Sequence, residues 1–172
     1  MSILQQGLAW IEPVVATYGV SALFVVIYCE SFGAPLPGES ALAAAALLAM
    51  RGDLAIGHVF LAAWLGGVLG DSTGYLIGRY GGRFLLQRFG SLVKLTPERL
   101  SRLEEMARRK GFIMVMTARF VVVLRQLNGL VAGSIAMPWP RFFLANLTGA
   151  ALWAGLWTLG PYYFTDLFHR FL

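Results

Sequence analysis

Apolar residues run through this chain in long blocks separated by short polar interruptions. Five stretches carry no charged residue: 13–29, 40–50, 54–70, 126–140 and 142–165. A helix crossing the core of a bilayer needs about 20 mostly apolar residues. The stretch 142–165 meets that length, as does 54–70 once it is carried past Asp71 to Gly78. The stretch 13–29 is borderline, while 40–50 would reach only about 16 Å as a helix. The pattern predicts membrane helices over 13–29, entered after Pro13, over 54–78 and over 142–164. Trp139, Tyr162 and Tyr163 are placed near the ends of the last span as interfacial anchors.

Between these spans the chain breaks. Within residues 30–39, Pro35 and Pro37 each remove a backbone donor, and Gly33 and Gly38 add conformational freedom. A polar, interrupted segment leading into a half-length apolar helix is the sequence form of a re-entrant hairpin, here 30–50. A second broken segment, 111–135, contains Arg119 and Arg125, with its break read at Asn128 and Gly129. Each broken segment precedes a similar run: residues 60–69 and 143–152 agree at five of ten positions. Paired broken segments before matching spans point to an inverted repeat with a site near mid-membrane. Along 66–78, glycines at 66, 70, 74 and 78 share one helix face, which lets another backbone approach closely. That face serves either a partner helix, giving a homo-oligomer, or an internal one.

Residues 79–110 form a polar connector in which Pro97 opens a helix with Leu100, Leu103 and Ala107 on one face. Glu98–Arg102, Glu104–Arg108 and Glu105–Arg109 stand at favourable i,i+4 spacing. An amphipathic helix lying on the membrane surface fits this pattern, and so does a solvated loop helix. With 79–110 and Arg141 on the cytoplasmic side, the positive-inside tendency is satisfied; two hairpins that each return to their own side then enter from opposite faces and place the N-terminus inside and the C-terminus outside, whereas a crossing by 30–50 would flip the N-terminus. The expected fold class is therefore all-α: a polytopic membrane protein with two oppositely oriented re-entrant hairpins, an inverted repeat and an interfacial amphipathic helix.

Composition agrees. Of 172 residues, 58% are apolar and 13% charged, against roughly 25% charged in soluble domains, and mean hydropathy is +0.66. The net charge of +5 is concentrated, with nine of fourteen basic residues between Arg79 and Lys110. Confinement beside membrane spans makes lipid headgroups, not nucleic acid, the expected partner. Cys29 is the single cysteine, so no internal disulfide framework exists. The first eleven residues lack Lys and Arg, and no signal-peptide pattern is evident.

Five charges stand in the wrong solvent: Glu30, Glu39, Asp71, Arg119 and Arg125 lie within or beside apolar sequence. An ionised group at mid-membrane costs at least about 2.5–3.5 kcal/mol on insertion scales. Three acids and two bases at such depth imply mutual pairing around a polar cavity, the alternative being hairpin mouths that water reaches. Arg119 and Arg125 remain protonated and offer forked donors suited to phosphate. Carboxyl groups removed from water take up protons more readily, which gives Glu30, Glu39 and Asp71 a proton-coupling role. Enzymatic chemistry finds little support: His58 and His169 sit near predicted boundaries, and no nucleophile-elbow or metalloprotease motif occurs. No catalytic residue, cofactor or metal site is expected.

The run Glu30-Ser-Phe-Gly-Ala-Pro35-Leu-Pro37-Gly-Glu39 resembles the Pro-Gly-Glu/Asp segment of the DedA family, the VTT or SNARE-associated-domain membrane proteins. Further along, Gly70-Asp71, Tyr75, Gly78-Arg79 and Gly82 fit the next family segment. Arg119-Phe120, Arg125, Ala132-Gly133 and Met137 fit another, and Phe142, Gly149, Trp153 and Gly160 fit the last span. The order holds from about residue 28 to 160. One departure is the absence of proline between the two arginines, where the chain reads Val121-Val-Val-Leu124. The resemblance implies a bacterial inner-membrane protein that moves lipids between leaflets, its partners being protons and polyprenyl phosphate or phospholipid. It places the family's functional acids and arginines on Glu30, Glu39, Arg119 and Arg125, with Asp71 at a position acidic in part of the family. The alternatives are a proton-coupled carrier of a small ion and a non-transporting membrane scaffold.

Overall fold

The computed structural model describes residues 18–89 and 97–171. The start of the first predicted span and Thr96 ahead of Pro97 lie outside the described residues. The described chain forms six helices and no strand: α1 Tyr18–Ser31, α2 Gly38–Met50, α3 Ile56–Phe89, α4 Pro97–Ala118, α5 Val122–Ser134 and α6 Trp139–Phe171. Trp139–Gly160, within α6, is long and apolar enough to cross a membrane.

The order of elements repeats: a helix, a break, a 13-residue helix, a tight corner and a long helix of 34 or 33 residues. Both short helices end in the same hydrogen-bonded corner. Gly52 (φ 88°) donates to Ala49 O and Asp53 to Leu48 O, while Ala136 (φ 54°) donates to Gly133 O and Met137 to Ala132 O. This is the Schellman arrangement, in which a left-handed residue turns two backbone donors onto the last carbonyls of the helix. Phe60 and Phe143, which open the matching runs, occupy the same turn counted from Ile56 and Trp139.

The two breaks differ in cause. Gly33 (φ 107°) ends α1, donating to Glu30 O while Ala34 donates to Cys29 O; Pro35 and Pro37 then keep the chain out of helix until Gly38 starts α2. The second break is shorter and contains no proline. Phe120 and Val121 close turns onto Thr117 and Ala118, and Val121 is extended (φ −113°, ψ 118°) before α5 begins. An extended conformation suits a β-branched residue.

Three sequence expectations need correction. Asn128 and Gly129 do not break the chain; both lie inside α5. A β-carbon on Gly129 would strike the Asp71 carbonyl, so this glycine serves a helix crossing and not a turn. Second, α4 runs unbroken past residue 110, because helix continues where charge density ends. Third, α3 extends beyond Gly78 to Phe89. Its 34 residues span about 51 Å, more than a bilayer core.

The glycine face of α3 is taken up inside the molecule. Gly66 and Gly70 lie against the α1 backbone at Phe24 and Tyr28, while Gly74 and Gly78 lie against Leu130 of α5. Gly129 and Gly133 answer from α5, facing the carbonyls of Asp71 and Tyr75. Small residues on both sides bring these backbones together, and among α2, α5 and α6 the broadest contact of α3 is with α5. The larger core joins α1, α2, α3 and α6 through Leu23, Ile27, Leu42, Ala63 and Trp153. A smaller one surrounds Tyr75, whose ring stacks on Phe142 at 4.6 Å and whose hydroxyl donates to the Met137 carbonyl, holding the α5–α6 corner.

Candidate functional site

All five ionisable residues singled out in the sequence meet partners in the interior. Arg125, in the first turn of α5, reaches back to both sides of the first break. Its Nη2 donates to Glu30 Oε1 at 3.0 Å and stands 3.6 Å from Glu39 Oε1. One guanidinium thus links the C-terminus of α1, the N-terminus of α2 and the N-terminus of α5. A cation at a helix N-terminus is disfavoured by the helix dipole, and α5 has no acid of its own in its first turn. The two glutamates supply the compensating charge. Gln126 Nε2 adds a long contact of 3.4 Å to Glu30, and the Trp153 ring lies 4.6 Å from the Arg125 guanidinium carbon in cation–π geometry.

Gly38, the first residue of α2, explains how Glu30 fits. A β-carbon there would overlap Glu30 Oε2. Pro35 and Pro37 hold the break, and Gly38 leaves room for the carboxylate to turn toward Arg125.

Arg119 forms the second pair. It sits in the break between α4 and α5, and its Nη2 donates to Asp71 Oδ2 on α3 at 2.5 Å and to Asn146 Oδ1 on α6 at 2.6 Å. Asn146 in turn donates to the Val68 carbonyl at 3.1 Å, which fixes the amide orientation. Gly67 permits the approach, because a β-carbon there would lie 2.7 Å from Arg119 Nη1.

Burial separates the groups. Arg119, Arg125, Asp71 and Glu30 are at most 3% exposed, whereas the Glu39 side chain is 33% exposed. Charges so enclosed require partners, yet four of their atoms have none in the protein: Nε of each arginine, Asp71 Oδ1 and Glu30 Oε2. The expected pairing is present. A recess of about 410 Å³ between α4 and α5 has an almost wholly apolar lining that includes none of the five ionisable residues.

Sequence reasoning missed Asn146, Trp153 and Gln126. Asn146 carries the clearest signal, an amide inside the uncharged run 142–165. A scan restricted to charges passes over it. Of the three connector pairs, Glu105–Arg109 closes at 2.6 Å on an exposed face; the side chains of the other two lie outside the described residues.

The described residues are all helical, with buried, mutually paired charges on interrupted helices, an arrangement consistent with a helical membrane protein. The VTT domain model matches residues 35–162, and the chain belongs to that family, the DedA-family domain. It is 39% identical over 150 residues to an uncharacterized membrane protein of Synechocystis sp., covering 87% of this chain and 69% of that protein. A membrane protein of Mycobacterium bovis is 40% identical over 134 residues, with 76% of this chain and 62% of that protein covered, so the chain spans less than two thirds of this relative. A Lactococcus lactis protein described as alkaline phosphatase-like is 27% identical over 148 residues, covering 83% and 69%. No solved structure matches.

Proposed function

We propose that this protein is a lipid transporter of flippase or scramblase type, spanning the bacterial inner membrane several times and moving phosphate-headgroup lipids between leaflets. Polyprenyl phosphate and phosphatidylethanolamine are the substrates in view. The observation that carries the reading is that Arg119 and Arg125 are buried, are held by carboxylates through Nη2, and keep an uncommitted Nε donor. Guanidinium forks match phosphate oxygens, so a headgroup phosphate can replace a carboxylate as the counter-charge. Glu30, Glu39 and Asp71 hold the arginines when no lipid is bound. Proton uptake by a carboxylate releases its arginine, which couples proton entry to headgroup exchange. Glu39, the most exposed of the three acids, is the point of proton access. No step requires a catalytic nucleophile, a metal or a cofactor.

The test is reconstitution in liposomes with fluorescent phosphatidylethanolamine and polyprenyl phosphate, with and without a proton gradient. Arg125→Lys is expected to lower transport about tenfold or more while leaving folded protein intact, because lysine acts as a point charge. Glu39→Gln should flatten the pH dependence. Equal transport by wild type and Arg125→Lys would exclude the phosphate role. One observation favours a second reading: Arg119 and Asp71 are 1% and 0% exposed, as in a purely structural lock. A scaffold of this kind would lose folded protein in Arg125→Lys and move no lipid in any form.

A further inference from the structure

Asn146 stands inside the uncharged run 142–165 and is 0% exposed. An amide so enclosed costs free energy unless its donor and its acceptor are both used. Both are used. Its Nδ2 donates to the Val68 carbonyl on α3 at 3.1 Å, and its Oδ1 accepts from Arg119 Nη2 at 2.6 Å. The bond to Val68 selects one orientation of the amide, the one that turns the oxygen to the guanidinium.

Holding α6 against α3 does not depend on this amide. Trp64 of α3 already donates to the Leu147 carbonyl of α6 at 3.0 Å, and the Val68 carbonyl also accepts from the Ser72 hydroxyl at 2.6 Å. What Asn146 adds is a second acceptor for one guanidinium nitrogen, since the same Nη2 donates to Asp71 Oδ2. The two acceptors differ in kind. A carboxylate loses its charge on taking up a proton, whereas an amide stays neutral and keeps its carbonyl acceptor throughout. Arg119 is therefore tied to α3 by a hold that depends on charge, and to α6 by one that does not. Arg125 is built otherwise. Among the described residues, the oxygens it reaches, Glu30 Oε1 and Glu39 Oε1, both belong to carboxylates. Its contact with α6 is the Trp153 ring, which attracts the cation without fixing it through a hydrogen bond.

We propose that Asn146 is a positioning residue that keeps the Arg119 guanidinium in place when Asp71 gives up its hold, so that Arg119 is the fixed cation of the site and Arg125 the one that turns. The use of this hold in transport rests on the reading above; the hold itself does not.

The hold is tested without lipid movement, in full-length protein carrying isotopically labelled nitrogen in its arginine side chains and placed in phosphatidylcholine nanodiscs. A guanidinium held by hydrogen bonds turns slowly about its Cζ–Nη bonds and gives separate Nη resonances, while a released one gives an averaged line. Arg119→Lys identifies the Arg119 signals by deleting them. In Asp71→Leu the separate Arg119 resonances are expected to persist, and adding Asn146→Ala should merge them. Asp71→Ala replaces Asp71→Leu if leucine prevents folding. Merged lines in the Asp71 variant alone, or separate lines in the double variant, would overturn the role.

A second measurement leaves Asp71 in place. In liposomes, Asn146→Ala is expected to lower transport about tenfold or more while melting close to wild type, because the Trp64 and Ser72 bonds remain. Asn146→Leu, which fills the volume and offers no acceptor, repeats the comparison if alanine leaves a damaging cavity. A merely structural amide would lose transport only in step with melting temperature, and that result, or full transport by either folded variant beside an active wild type, would overturn the proposal. Resonances that behave as expected in a protein that moves no lipid sink only the transport reading. Resonances that merge in the Asp71 variant of a protein whose wild type is active sink only the positioning role.

Discussion

Arg119→Ala is expected to remove about 3–5 kcal/mol of folding stability, the cost of leaving a buried carboxylate uncompensated. Asp71 is wholly enclosed, and loss of Arg119 also strips Asn146 Oδ1 of its donor. Against a total of about 5–15 kcal/mol for a native protein, such a loss depletes the folded state. The double variant Arg119→Leu with Asp71→Leu should recover most of it, since apolar groups of similar volume can replace a buried pair at little net cost. Unfolding in detergent, followed by circular dichroism for the wild type, Arg119→Leu, Asp71→Leu and the double variant, measures the coupling. Equal stability of the single and double variants would mean that the pair is already solvated. The double variant should still lose lipid transport, which separates folding from function.

Gly133→Val is the second large effect expected. Its β-carbon would overlap the Tyr75 carbonyl and lie 2.8 Å from the Arg79 nitrogen, both of them backbone atoms that cannot swing aside. Overpacking costs about 1–3 kcal/mol, and here it also separates α3 from α5. That separation draws Asp71 away from Arg119 and the Tyr75 hydroxyl away from Met137, so a lowered melting temperature and lost transport should appear together. Gly160→Ala is the contrast, because nothing lies within 4 Å of its added carbon. It should be neutral or gain up to about 1 kcal/mol from helix propensity. If both variants melt alike, the glycine crossing does not set the helix spacing.

The site's charges were legible because an ionised group in apolar sequence is conspicuous, and Glu30, Asp71, Arg119 and Arg125 all lie buried. Their pairing was not. Which arginine meets which acid depends on where the second break falls, and Val121 gives no punctuation comparable to Pro35 and Pro37. Asn128 and Gly129 looked like a turn because local chemistry permits one; the approach of α3 decided otherwise. The end of α4 was hidden for a related reason, since charge marks contact with water and not the end of a helix. The matching runs at 60–69 and 143–152 located equivalent turns of α3 and α6. They could not reveal Asn146, because its counterpart in the first run is Ala63.

The stacking of Arg125 on Trp153 has an optical consequence. The indole is 1% exposed, and the cation stacked on it is one that the proposed transport cycle would move. If Arg125 turns to a headgroup as proposed, the field on that ring changes and the emission of one of five tryptophans shifts. Trp153→Phe would silence the signal and leave the other four as background. Difference spectra recorded during lipid addition would then follow occupancy in real time, without any attached dye.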